Sequence, residues 1–376
     1  MKKSQTEPYL SSYLHSKGTK LGLPIGGNFE LTSRCNFRCP MCYVHSASDE
    51  RVERRELTAG QWLDLAKQAR DMGMVFALLT GGEPFVRKDF FEIYNGFTDL
   101  GLLISINSNG SLISGEIRDK LLENPPFRMN ISLYGGSSET YRTMCGQPAF
   151  DQVIDNIHAL KASGVDIRLN LSLTAYNRHD MKRIYEIARE LNLHVKAASY
   201  MYPPVRVNGE QFGVANRMAP EEAATCSVQW DLLRMSNEEF CIRAENIVKR
   251  CAVENATCAV EMGDGIGCRA GSSSFWLTWD GRMLPCGMMP NPVAYPLDQG
   301  FDAAWQQIRE DVKRLRKPQK CLSCANRQVC SACAAVSVTE TGSFDQVPTY
   351  ACRQTEAFVE LTRQALLTRK VKNNGD

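Results

Sequence analysis

Short apolar runs and amphipathic stretches alternate through the first half of this chain, about one pair every thirty residues, and that rhythm leaves few folds open. Strand-like runs fall at 28–32, 75–79, 102–107, 128–133, 166–173 and 194–199. Helical stretches lie between them, at 59–72, 89–99, 114–122, 150–163 and 180–191. Gly73, Gly101, Gly164 and Asn192 end four of the helices, where a C-terminal cap favours a residue that tolerates positive φ. Alternation of this kind builds βα units around a parallel sheet. Six units are too few to close an eight-fold barrel, and in parallel α/β folds of this kind chemistry collects at the C-terminal ends of the strands.

The loop leaving the first strand carries Cys35, Cys39 and Cys42 at the spacing C-x3-C-x2-C. Three soft thiolates suit an iron–sulfur cluster or zinc and not magnesium or calcium. A cubane has four irons, so a tripod leaves one of them open to another ligand. A three-legged zinc site and three buried free thiols are the plainer readings. One unit later the second strand ends in Thr80-Gly81-Gly82-Glu83-Pro84, where glycines allow close backbone approach and a carboxylate is available for an ammonium group.

Residues 203–262 break the rhythm with Pro203-Pro204, then give helical stretches that carry Cys226, Cys241, Cys251 and Cys258. Beyond them the order is Cys268, Cys286, Cys321-x2-Cys324-x5-Cys330-x2-Cys333 and Cys352. Seven thiolates are enough for two clusters with one ligand lacking, and paired C-x2-C groups also suit a zinc ribbon. Phe275–Trp279, Asp280-Gly281 and Arg282–Pro285 read as a β-hairpin on a two-residue turn. The chain ends in a helix near 354–367 and a charged tail (Arg369, Lys370, Lys372) expected to be disordered.

The tripod and the GGEP turn together resemble the radical S-adenosylmethionine (SAM) enzymes, whose fold is a partial (β/α)6 TIM-like barrel. The resemblance implies a [4Fe–4S] cluster on Cys35, Cys39 and Cys42 whose open iron chelates SAM. It also implies that Gly81, Gly82, Glu83 and Pro84 hold the amino group of SAM, that Tyr43 lies beside adenine, and that Ser132 contacts the ribose or carboxylate. Asn107 and Asn170, with Asn177, are further contacts by position. Arg142 takes the place of the arginine that grips the carboxylate in relatives, although Cys145 directly precedes Gly146 here, and Tyr134 stands where many relatives have aspartate. The seven-cysteine order resembles the SPASM domain, a small cysteine-rich α+β unit with two auxiliary [4Fe–4S] clusters. Carried over by position, Cys268, Cys286 and Cys333 hold the first, with Cys258 or Cys251 as a fourth ligand. Cys321, Cys324, Cys330 and Cys352 hold the second. This chain departs once, with two residues between Cys330 and Cys333 where the family has three. The implied organisation is an extension (1–27), the barrel (28–202), a helical bridge (203–262), the SPASM unit (263–352) and a C-terminal helix and tail (353–376).

Composition narrows the setting. A net charge of +2 over 376 residues gives no electrostatic case for nucleic acid or a membrane surface. No signal peptide and no apolar run of about eighteen residues is present, so a cytoplasmic protein is expected. Fifteen cysteines in an unsignalled chain of this length fit metal ligation in a reducing, oxygen-poor setting better than disulfides.

The expected activity is reductive cleavage of SAM to a 5′-deoxyadenosyl radical and hydrogen abstraction from a substrate, fed by a reductant such as flavodoxin or ferredoxin. Auxiliary clusters make sense where an electron leaves the substrate, hence net oxidation. SPASM relatives most often modify peptides, by thioether or carbon–carbon crosslinking or by residue oxidation. Only 27 residues precede the first strand, where many relatives carry a leader-binding winged helix. A separate recognition protein, another leader site or a short substrate is then expected. Oxidation of a small molecule such as an aminocyclitol or sugar is the alternative, and an iron–sulfur or zinc scaffold is the non-enzymatic one. Tyr134, Asp166 and Tyr200, with Glu83 and His179, are the side chains whose placement suits proton transfer.

Overall fold

The computed structural model describes residues 6–44, 53–205, 217–252 and 264–373. Six parallel strands, β1 (Gly26–Thr32), β2 (Phe76–Gly81), β3 (Leu103–Ser108), β4 (Arg128–Ser132), β5 (Ile167–Ser172) and β6 (His194–Ala198), lie side by side in chain order. β7 (Ser274–Leu277) adds in parallel to the other side of β1, and β8 (Met283–Leu284) pairs antiparallel with β7. The sheet order is β6-β5-β4-β3-β2-β1-β7-β8, an open partial barrel with the cysteine-rich unit joined to its first strand.

Helices α2 (Ala59–Asp71), α3 (Phe90–Asp99), α4 (Glu116–Glu123), α5 (Ser138–Cys145), α6 (Phe150–Ala162) and α7 (Met181–Glu190) cover the outer face, and α1 (Thr6–Leu21) sets His15 against Gly26 and Phe76 where β1 and β2 begin. The period-2 pattern of the strands explains the layering. Leu79, Ile104, Ile106, Met129, Ile131 and Leu169 turn outward and are buried under helices, whereas Asn107, Asn130, Ser132 and Asn170 turn inward and stay half-exposed. Phe29 of β1 packs edge-on against Trp62, Phe97 and Phe275, at ring separations of 6.0, 4.8 and 5.7 Å, so one ring joins α2, α3 and β7 to the core. A buried aromatic of this kind contributes ~1.5–3 kcal/mol. Helix α2 opens on a capping box between Thr58 and Gln61. At its C-terminal side α7 gives way to Asn192 at φ 47°, the expected left-handed residue.

Four features differ from the sequence reading. Helix α1 lies within what reads as a plain polar extension; its His15 is buried against Ser273 (3.0 Å) and stacked on Phe76, and burial lowers its pKa to about 4. The hairpin turns on Trp279-Asp280-Gly281 and not on two residues. Thr278 N–H donates to Arg282 C=O (2.9 Å), and Gly281 supplies φ 87°. Helix α5 was not expected, because only its Ser137 cap and Gly146 stop mark it. The charged tail is helical. The last helix runs Thr349–Asn373, because Lys370 pairs with Glu245 (2.6 Å) and Arg369 bonds Asn237 and lies 5.2 Å over the Phe240 ring.

The C-terminal half adds α8 (Pro220–Arg234), α9 (Asn237–Ala252), α10 (Phe301–Arg314), α11 (Ala334–Thr341) and α12 (Thr349–Asn373). Helix α10 seals the β1–β7 junction: Phe301 and Trp305 pack on Phe275, and Trp305 Nε1 donates to Gly22 C=O (2.8 Å). Among the described residues no helix is long and apolar enough to cross a membrane.

Candidate functional site

The cysteine loop is anchored before it is functional. Where β1 ends, Arg34 donates to Glu56 through Nε (3.0 Å) and Nη2 (2.9 Å), and Thr32 Oγ1 donates to the same carboxylate. Arg87, buried, donates to the carbonyls of Leu31 (2.8 Å) and Leu57 (2.9 Å) and pairs with Asp89 (2.7 Å). This network sets the path of the chain into Cys35. Its Glu56 carries no signal in a motif and was not anticipated.

The glycine turn then zips onto that loop. Gly82 N–H donates to Thr32 C=O (2.8 Å) and Glu83 N–H to Arg34 C=O (2.9 Å). A Cβ on Gly81 would lie 2.3 Å from Thr32 O, and one on Gly82 would lie 2.3 Å from Arg34 O. The close approach that these glycines permit is thus to the cysteine loop itself, and the N–H groups of Gly82 and Glu83 are engaged there and are not free for a ligand. Pro84 is buried and starts the following turn.

Glu83 is fully buried and faces the end of β3. Its carboxylate accepts from Ser108 Oγ (3.0 Å), Asn109 N–H (2.7 Å) and Phe85 N–H (3.3 Å). Asn109 passes the connection on: its Nδ2 donates to Asn36 Oδ1 (2.9 Å) and lies 3.8 Å from Cys35 Sγ, while Asn36 Nδ2 donates to Ser111 (2.9 Å). Three loops, after β1, β2 and β3, are therefore locked together around the tripod. Burial pushes the Glu83 carboxyl up to about 7, against the hydrogen bonds that lower it. The folded protein binds that proton more tightly than the unfolded chain. The stabilisation is therefore complete below the ordinary value of 4.5 and is lost as pH rises towards about 7. We expect Glu83→Gln to flatten the decline in melting temperature of cluster-free protein between those limits, a difference of about 3 kcal/mol. Parallel curves for the two proteins would show that the carboxyl is ordinary.

Cys39 is buried beside Cys145 and Tyr134, and Cys35 and Cys42 are half-buried. Burial first, then the Glu83 charge, pushes the Cys35 thiol up to about 12. Thiols so placed ionise only if a cation compensates them, which is the demand that iron meets. As placed, no three His, Cys, Asp or Glu among the described residues converge tightly enough for a single ion. A cubane asks for wider spacing, since its ligands bind separate irons. The donor set fits a cluster.

Inside the barrel, Asn130 Nδ2 donates to Asn107 Oδ1 (2.9 Å), and Asn107 approaches Thr80 (3.5 Å). Ser132 and Asn170 are register partners near the strand ends. Asn177, fully buried, donates to the carbonyls of Tyr134 (2.9 Å) and Ser172 (2.8 Å) and ties the ends of β4 and β5 together. Tyr43 is half-buried, and its carbonyl accepts from Val205 N–H (3.2 Å). Arg142 is exposed on α5.

The side chains expected to move protons separate. Tyr134 is beside Cys39, packed on Tyr141 (6.2 Å), and burial holds its phenol well above the usual range. Asp166 is at the opposite end of the barrel, just before β5, and its carboxylate accepts from Arg128 Nε (2.8 Å). That placement corrects the expectation of a base at the mouth. His179 is mostly exposed near Asp180 (3.6 Å). Tyr200 donates to Glu340 (2.5 Å), which also pairs with Arg217 (2.6 Å), and the Arg217 guanidinium lies 3.9 Å over Tyr350. This seam between β6 and the cysteine-rich unit was not foreseen.

The C-terminal cysteines gather in two groups. Cys321, Cys324 and Cys330 all act on Cys352, whose thiol is pushed up to about 11, chiefly by burial. Cys268, Cys286 and Cys333 surround Tyr202, whose hydroxyl is 3.9 Å from Cys333 Sγ. Cys251 neighbours Cys324 and not the Cys268 group for which it was considered. Cys258 lies outside the described residues.

Comparison with known proteins bears on this geometry. Residues 29–202 match the model of the Radical SAM superfamily. An AdoMet-dependent heme synthase of Methanosarcina barkeri is 26% identical over 84% of this chain and 93% of its own length. A similar enzyme of Oleidesulfovibrio alaskensis is 25% identical over 84% of each. Among solved structures, Streptococcus suis SuiB bound to S-adenosylmethionine superposes with a TM-score of 0.65 at 17% identity, over 94% of this chain and 84% of that one. Native anSMEcpe with bound AdoMet gives 0.65 at 16%, over 94% and 100%. These likenesses show the fold, a radical SAM partial barrel with a SPASM-like second unit.

Proposed function

The chain is a member of the radical SAM superfamily through residues 29–202, and from that premise we propose that it oxidatively modifies a peptide. Cys35, Cys39 and Cys42 would hold the SAM-binding [4Fe–4S] cluster, and the two C-terminal cysteine groups would hold auxiliary clusters. When bound, the first cluster supplies the electron that cleaves SAM to a 5′-deoxyadenosyl radical able to take hydrogen from an unreactive carbon, and the others supply a sink for the electron that net oxidation releases. The chain's own part is to position and shield. The locked loops after β1, β2 and β3 hold the tripod, and Asn107, Asn130, Ser132 and Asn170 present donors and acceptors to what enters the barrel. Asn177 keeps the β4 and β5 ends in register.

The observation that carries the reading is the coexistence, in one chain, of a tripod at the end of β1 and two further thiol groups in the cysteine-rich unit. The peptide class is supported by the fold shared with SuiB, also solved with precursor peptide SuiA, and with anSMEcpe, also solved with the Cp18Cys peptide. A second reading, oxidation of a small molecule, is favoured by full-length relatives named AdoMet-dependent heme synthase. Anaerobically reconstituted, reduced protein should be incubated with SAM and, in parallel, with short peptides encoded beside its gene and with tetrapyrrole precursors of haem. The peptide reading expects 5′-deoxyadenosine together with a peptide mass change. Turnover of a tetrapyrrole alone would replace it with the second.

A further inference from the structure

β6 ends the sheet, and its outer edge faces a cavity of ≈410 Å3 bounded by α8, α12 and the 329–331 loop. Register decides which groups that edge offers. Ala198 C=O accepts from Leu173 N–H (2.8 Å), and His194, Lys196 and Ala198 pair with Arg168, Asn170 and Ser172. Successive residues of a strand in a parallel ladder turn their N–H and C=O to opposite sides. His194, Lys196 and Ala198 therefore use theirs on β5, and Val195 and Ala197 direct theirs outward. Val195 and Ala197 both line the cavity, and among the described residues no other group bonds to their backbones.

The cavity walls are charged unevenly. Asp231, 6% exposed, accepts from both Arg234 (2.7 Å) and Arg243 (2.8 Å). Lys196 is exposed and has no acidic partner among the described residues. Two cations thus face one carboxylate, and Lys196 adds a third charge on the strand itself, on the face that it shares with Asn170. One end of the cavity is closed by polar groups: Ser199 bonds Ser227 (2.8 Å) and accepts from Gln354 Nε2 (3.1 Å).

We propose that the free edge of β6 is a docking strand for an extended, acidic segment of the peptide substrate, which continues the sheet through the backbones of Val195 and Ala197. Main-chain bonds supply the affinity, and the cationic wall selects acidic side chains, the division of labour of strand addition. This inference rests on the peptide reading above.

Ala197→Pro is the direct test. It deletes one outward N–H, takes no bond from β5, and places proline on an edge strand, where it is tolerated. The probe is a fluorescein-labelled, end-blocked alternating Glu–Thr hexapeptide, with cluster-loaded protein, read by anisotropy. We expect Ala197→Pro to weaken binding at least tenfold, with circular dichroism and iron content unchanged. Lys196→Glu should weaken it too and favour a Lys–Thr probe. On wild-type protein, which carries no folding risk, N-methylation of alternate probe amides should abolish binding in one parity only. Equal affinity for wild type and Ala197→Pro, or equal loss in both parities, overturns the docking strand. So does peptide turnover without probe binding, and in all three cases the peptide reading survives. Tetrapyrrole turnover with no peptide bound or processed overturns both.

Discussion

Replacing Cys35, Cys39 and Cys42 together with alanine should abolish 5′-deoxyadenosine formation and remove about four irons, of the roughly twelve that the proposed three cubanes would bring to reconstituted protein. The loss should be specific, because the fold does not depend on the tripod. Arg34, Glu56 and Arg87 fix the entrance to the loop, and Asn36 and Asn109 fix its side, all without a sulfur atom. Melting temperature and circular dichroism of the cluster-free variant should therefore match those of cluster-free wild type. Remaining iron near eight per chain would leave the auxiliary groups in place. Total iron near four in the wild type, with zinc making up the rest, would instead make the C-terminal cysteines a structural zinc unit, and the argument for net oxidation would go with it.

Gly82→Ala should be nearly as damaging to SAM binding, with a loss of at least tenfold, although it touches no thiol. The added methyl would lie 2.3 Å from the Arg34 carbonyl, and that oxygen is backbone in a loop held from both sides. The chain must open the Gly82–Thr32 and Glu83–Arg34 hydrogen bonds to admit it. Overpacking of this kind costs ~1–3 kcal/mol, so the melting temperature should fall by a few degrees, while the larger effect is on the aligned loops. Gly60→Ala is the matching control. Gly60 is the second residue of α2, with nothing within 4 Å of the new methyl, and alanine there should be neutral or stabilising. Equal SAM affinity in wild type and Gly82→Ala would mean that the loop contact is incidental.

Periodicity was enough to place the six parallel strands and most helices, because inward polar and outward apolar residues alternate cleanly in β4 and β5 and through the middle of β3. The tripod and glycine turn were legible because their spacing is local. What escaped has a common cause. Glu83 is adjacent in sequence to the turn that it was thought to serve, yet its carboxylate is buried against Ser108 and Asn109, some 25 residues away. Glu340 meets Tyr200 across 140 positions, and Glu56 meets Arg34 across 22. Asp166 opens the run 166–173, so its place at the N-terminal end of the strand was legible, and only its choice as a base ran against it. The tail read as disordered by its charges, which find Asn237, Phe240 and Glu245 on α9. Side-chain partners set by tertiary folding leave no periodic trace.

The seating of β7 against β1 has a consequence for how the protein is made. Asn28 Nδ2 donates to Phe275 C=O (2.7 Å), a partner 247 residues further along the chain. At ~5–20 residues per second, a ribosome delivers that partner about 12–50 s after β1 has emerged. Throughout that interval β1 has a bare flank, with Phe29 waiting for the Phe275 ring. The first strand synthesised is thus among the last to be enclosed, and the nascent chain passes through a long stretch in which its central strand is open to wrong neighbours.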